Sequence, residues 1–183
     1  FMFLMGSPIM GSLLLIGAMY FLMFMIEKNK YSFAGIVWMM AFTFLMGLLL
    51  GPLFQVALRL PNGSQLILLA AVLTSAVFFA MSAIAYTIKR ETPFLTNFLA
   101  IGGIVIMVGV VANIFLHLPM FHLMLCGAFV IFSSLMILWQ VNQIITGGET
   151  NYISATLSLY VSLYNLFTSL LQIIIALSGN DRR

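Results

Sequence analysis

Charge is what this sequence has least of. Seven Lys/Arg and four Asp/Glu make up 6% of its 183 residues, where a soluble domain carries about a quarter. So little charge cannot clothe a water-facing surface, which excludes a soluble enzyme, a nucleic-acid-binding module and a disordered tail. Cysteine is nearly absent too. Cys126, the only one, has no partner for an internal disulfide and lies in an apolar run, where it reads as a small packing residue. Equally missing are a nucleophile–base pairing, a phosphate loop and a zinc-protease helix, so no catalytic role is expected. What the sequence has in abundance is apolar surface, at 63% of residues with a mean hydropathy of +1.19. It is an integral membrane protein, and its net charge of +3 matters only through where the cations fall relative to the bilayer.

Apolar stretches of about 20 residues separated by polar breaks define six spans, at about 3–26, 33–57, 66–88, 94–116, 121–145 and 152–177. The breaks are short: Glu27 to Lys30, Arg59 to Gln65, Lys89 to Pro93, His117 to Met120, and Thr146 to Asn151. Each span is long enough to cross as a tilted helix, and such loops force sequential helices to be antiparallel neighbours. The ten-residue alternating segments of a β-barrel are not seen. The expectation is one all-α transmembrane domain, residues 1–183, folded as a polytopic helical bundle. The chain opens at Phe1 on an apolar run too long for a signal peptide and without a small-residue cleavage site, so a further segment upstream is expected. Lys28, Lys30, Lys89 and Arg90 fall on one side of the membrane. Arg59 and the tail Arg182-Arg183 fall on the other, and the larger group marks the cytoplasm.

No acidic or basic residue sits at the middle of a span, unlike pumps and proton relays. The polar groups at depth are amides, hydroxyls and glycines. Ser154, Ser158, Ser162, Asn165, Ser169 and Gln172 share one face of the last span. Such a stripe suits the interior of a bundle, either as helix-packing contacts worth about 0.6–2 kcal/mol each or as the wall of a hydrated path. Ser133, Gln140 and Gln143 repeat the theme in the fifth span, while Asn142 projects elsewhere. Gly47 and Gly51, four residues apart before Pro52, read as a helix-packing pair with a kink. Gly102, Gly103 and Gly109, with Asn113 beyond, invite the same packing reading. His117 and His122 bracket Pro119 in a tight turn. A two-histidine metal site there would need two more ligands, so no metal site is expected and both are read as interfacial residues.

The block Gly147-Gly148-Glu149-Thr150-Asn151-Tyr152 and its continuation from Ser158 to Phe167 resemble the signature end of the Bax inhibitor family, in its YccA-type bacterial branch. Val111 to Leu116 with Leu118-Pro119, and Gly47 to Pro52, are similar to the same branch. The resemblance implies a seven-span fold of which the six spans here align with the second to seventh, an inner-membrane location and a periplasmic C-terminus. It implies a partner, the membrane-anchored protease FtsH, whose action on other membrane proteins such relatives restrain in quality control. It implies no cofactor. Channel-type members of the family instead leak calcium and sense pH through two aspartates, whose equivalent positions here are Gln140 and Ser162. An amide and a hydroxyl hold no charge with which to attract calcium or sense a proton, so the resemblance favours the protease modulator over the leak.

Overall fold

The structure is a computed structural model that describes residues 8–88, 93–116 and 118–180. Six helices follow in order: α1 (Pro8–Lys28), α2 (Phe33–Leu58), α3 (Gly63–Ile88), α4 (Pro93–Leu116), α5 (Pro119–Thr146) and α6 (Tyr152–Asn180). Of these, α2 to α6 are each long and apolar enough to cross a membrane. Lys89 to Thr92, His117 and Asp181 to Arg183, which enter the charge count and the two-histidine reading, lie outside the described residues.

Helix ends follow local chemistry. Ser32 caps α2 by accepting from the Ala34 amide, and α5 opens with Pro119, whose missing N–H is no loss in a first turn. Helix α2 runs unbroken through Pro52. Between α2 and α3 the turn is so tight that a Cβ at Gly63 would collide with the Ala57 carbonyl. Gly35 is similarly enclosed, with the Asn29 carbonyl 2.6 Å from where its Cβ would stand.

Helices α5 and α6 form the central pair. Helix α6 packs against α1, α2, α3 and α5, and α5 against α3, α4 and α6. Ile26, Phe42, Met46, Ile153 and Leu157 form one buried cluster, joining α1, α2 and α6. Ala57, Ala70 and Leu171 form another, joining α2, α3 and α6. Tyr160 meets Phe42 edge-on, and Phe167 meets Phe54 likewise. Outward faces carry Phe44, Phe79, Phe94, Val105, Phe115 and Met124, all exposed. Buried positions instead include Thr74, Ser133, Ser134, Gln140, Asn142, Ser154, Ser162 and Ser169. Large apolar groups outside and small polar ones between helices is the arrangement that a lipid solvent selects.

Among the described residues, a Cβ at Gly47 or Gly51 would meet nothing within 4 Å, so the expected close packing is not seen between these helices. Small residues permit a close approach but do not choose its partner, and here the neighbouring helices contact other faces of α2. The glycines of α4 do pack. Phe132 lies 3.5 Å from the Cβ position of Gly102 and 3.4 Å from that of Gly103, and Leu125 lies 2.8 Å from that of Gly109.

Candidate functional site

The α6 stripe lines two clefts in succession. One, of about 530 Å³, lies among α1, α5 and α6 and is bordered by Tyr20, Glu27, Ser133, Ser158, Ser162 and Asn165. The other, of about 300 Å³, lies among α4, α5 and α6 and is bordered by Asn113, His122, Cys126, Asn165, Ser169 and Gln172. Asn165 belongs to both walls. Ser154, Ser162 and Ser169 are buried, and Ser158, Asn165 and Gln172 half-buried. Ser162 Oγ donates to the Ser158 carbonyl at 2.9 Å, which satisfies its hydroxyl within its own helix. Gln140 is buried at 4% exposure, as is Ser162, so both sit in the interior as neutral groups. Asn142 is buried at 1%, with both its side-chain polar atoms unpartnered.

The Gly147–Tyr152 block is a helix-to-helix connector. Gly147, at φ 81°, ends α5 in a left-handed conformation, and the Gly148 amide donates back to the Gln143 carbonyl at 2.9 Å. Gly148 leaves room for the Gln143 side-chain amide, with which a Cβ would collide. Glu149 Oε1 accepts from the Asn151 amide at 2.8 Å. Asn151 Oδ1 then caps α6, accepting from the amides of Ile153 at 3.0 Å and Ser154 at 3.1 Å. Its Nδ2 reaches the α1–α2 loop and donates to the Lys30 carbonyl at 2.9 Å. Thr150 and Tyr152 are exposed.

Glu27, which reads in sequence only as a polar break, stands at the end of α1 on the edge of the larger cleft. One of its oxygens accepts from Ser154 Oγ at 2.9 Å, and the other pairs with Lys30 Nζ at 3.1 Å. That hydrogen bond and charge hold the Lys30 ammonium above its ordinary pKa. The opposite end of the stripe holds a second polar group. His122 Nε2 and Gln172 Oε1 are 2.7 Å apart, Asn113 Nδ2 lies 3.4 Å from His122 Nδ1, and Cys126 Sγ lies 3.7 Å from Gln172 Oε1. Reading along the chain misses this cluster because Gln172 is 50 residues from His122. The one legible sign is Cys126, a single helical turn beyond His122.

A bundle with a polar seam inside and an apolar exterior defines a polytopic helical membrane protein. The chain belongs to the Bax inhibitor family: residues 1–180 match the family described as "Inhibitor of apoptosis-promoting Bax1". It is similar to an uncharacterized protein of Neisseria meningitidis, 46% identical over 176 residues, covering 96% of this chain and 78% of the relative. It is 44% identical over 167 residues to the Escherichia coli K12 protein named "Modulator of FtsH protease YccA", covering 91% of this chain and 76% of that one. An uncharacterized membrane protein of Vibrio cholerae is 39% identical over 175 residues, covering 96% and 78%.

Proposed function

We propose that this protein is a non-enzymatic inner-membrane partner of an FtsH-type protease that restrains degradation of other membrane proteins. The observation that carries this reading is the 44% identity, across 91% of the chain, to a relative named as a modulator of FtsH protease. In this reading Gln140 and Ser162 are neutral packing groups, and the connector from Gly147 to Tyr152 fixes the α5–α6 pair with the C-terminus on the periplasmic side. The test is the lifetime of a membrane substrate of FtsH in cells, with and without excess of this protein, together with co-purification in mild detergent. A longer substrate lifetime and recovery of the protease with the protein are expected. An unchanged lifetime with no co-purification would overturn the reading.

A second reading, a solute or ion conduit, draws support from one geometric fact: the two clefts along α6 share Asn165. The neutral residues at the sensor-equivalent positions weigh against gating by protons. Calcium flux into proteoliposomes at neutral and acidic pH tests it, and restoring charge with Gln140→Asp and Ser162→Asp reveals whether a path persists. Absence of flux in both proteins disposes of the conduit.

A further inference from the structure

We propose that His122, Cys126 and Gln172 form a binding site for a borderline divalent transition-metal ion of the zinc type, in the cleft among α4, α5 and α6. His122 and Cys126 are four residues apart on α5 and so project from one face, and Gln172 meets them from α6. Their donor atoms make a triangle: Nε2 to Oε1 is 2.7 Å, Sγ to Oε1 is 3.7 Å and Sγ to Nε2 is 3.8 Å. The centre of that triangle lies about 2.0 Å from each corner, against bond lengths of about 2.0–2.1 Å for Zn–N, 2.0–2.2 Å for Zn–O and 2.3 Å for Zn–S. A cation slightly out of the plane satisfies all three at once. The adjoining cleft of about 300 Å³ leaves space for water as a fourth ligand.

Helix α4 supplies the group that would fix the ring. A metal on Nε2 leaves the imidazole proton on Nδ1, which then needs an acceptor to fix the ring. Asn113 faces Nδ1 at 3.4 Å through its Nδ2, while its Oδ1 is buried without a partner. Turning that amide over exchanges the two atoms and gives the Nδ1 proton its acceptor, with Nδ2 taking the enclosed place that Oδ1 held. Binding converts the Cys126 thiol to a thiolate: the S–H bond breaks, a metal–sulfur bond forms and one proton leaves to solvent. Neither FtsH modulation nor conduction requires this site.

The test titrates Co²⁺ and then Zn²⁺ into the chelator-stripped full chain in mild detergent. Cys126 is the only cysteine of this sequence, so a thiolate-to-cobalt charge-transfer band reports on this site alone. The band should appear, disappear in Cys126→Ser, and bleach when zinc displaces cobalt. His122→Gln should weaken cobalt binding about tenfold or more, as should Asn113→Ala acting through the ring, whereas Asn113→Asp should tighten it. Zinc should also slow alkylation of Cys126 in the unaltered protein, a readout that needs no variant. Absence of the band with no zinc protection would overturn the proposal, as would a band of equal strength and affinity in a folded His122→Gln protein.

Discussion

At the scale of single residues, the connector between α5 and α6 shows what a recognisable motif is for. Gly147 is required by its φ of 81°, and Gly147→Ala should lower stability by about 1 kcal/mol. Asn151 has two tasks, capping α6 and holding the Lys30 carbonyl. Asn151→Ala should therefore cost about 1–2 kcal/mol, and Asn151→Ser should recover only the capping part. Thermal melts in one detergent, with all variants side by side, check both. The glycines separate the same way. A Cβ at Gly35 would stand 2.6 Å from a backbone carbonyl and one at Gly47 would meet nothing, so Gly35→Ala should destabilise strongly while Gly47→Ala is neutral or mildly favourable. The connector was legible as punctuation, because Gly-Gly followed by Asn ends one helix and starts another. Its tie to Lys30, 121 residues away, was not, because nothing local marks which carbonyl a capping amide will reach.

At the scale of elements, the α6 stripe was legible for a physical reason. Polar residues recurring at three and four along an apolar helix have only one favourable direction to face. The spacing did not reveal that the stripe borders two clefts, since their other walls come from α1, α4 and α5. Nor did it reveal which hydroxyls bond within their own helix, as Ser162 and Thr168 do. Gly47 and Gly51 show the converse limit: a small-residue pair advertises a surface without naming a neighbour. Asn165 stands where the clefts meet. Asn165→Leu replaces a half-buried amide with an apolar group of similar size, so the melting behaviour should change by no more than about 1 kcal/mol. If the clefts conduct, the same substitution abolishes flux, and liposome assays run beside the melts read both quantities from one preparation.

At the scale of the whole molecule, the distribution of polarity decides nearly everything that composition could decide. An apolar exterior over six helices follows from 6% charged residues and short loops, and the assignment to membrane needed no structure. Orientation rests on a few cations, of which Lys28, Lys30 and Arg59 are described. If the proposed orientation holds and Lys28 and Lys30 face the cytoplasm, a cysteine at Ser32 should react with a membrane-impermeant maleimide only after cells are opened. A cysteine at Asn62, on the α2–α3 turn, should react in intact cells; both belong in a Cys126→Ser background. The reverse pattern would invert the molecule. The pairing of α5 with α6 follows from their short connector, but among the described residues α4 packs on α5 and not on its other chain neighbour α3; that lay beyond the sequence, because in lipid every span is apolar and hydropathy does not rank neighbours.

The bond from Asn151 to the Lys30 carbonyl also has a consequence in time. A ribosome delivers the α1–α2 loop long before residue 151 exists, so that carbonyl and the Glu27 oxygen that accepts from Ser154 wait on α6 to be inserted. The polar seam along α5 waits with them, facing lipid or water until α6 covers it. Every unfinished chain that stops short of Asn151 therefore displays the same incomplete face. Arrival of α6 is what gives those polar groups their partners in the bilayer.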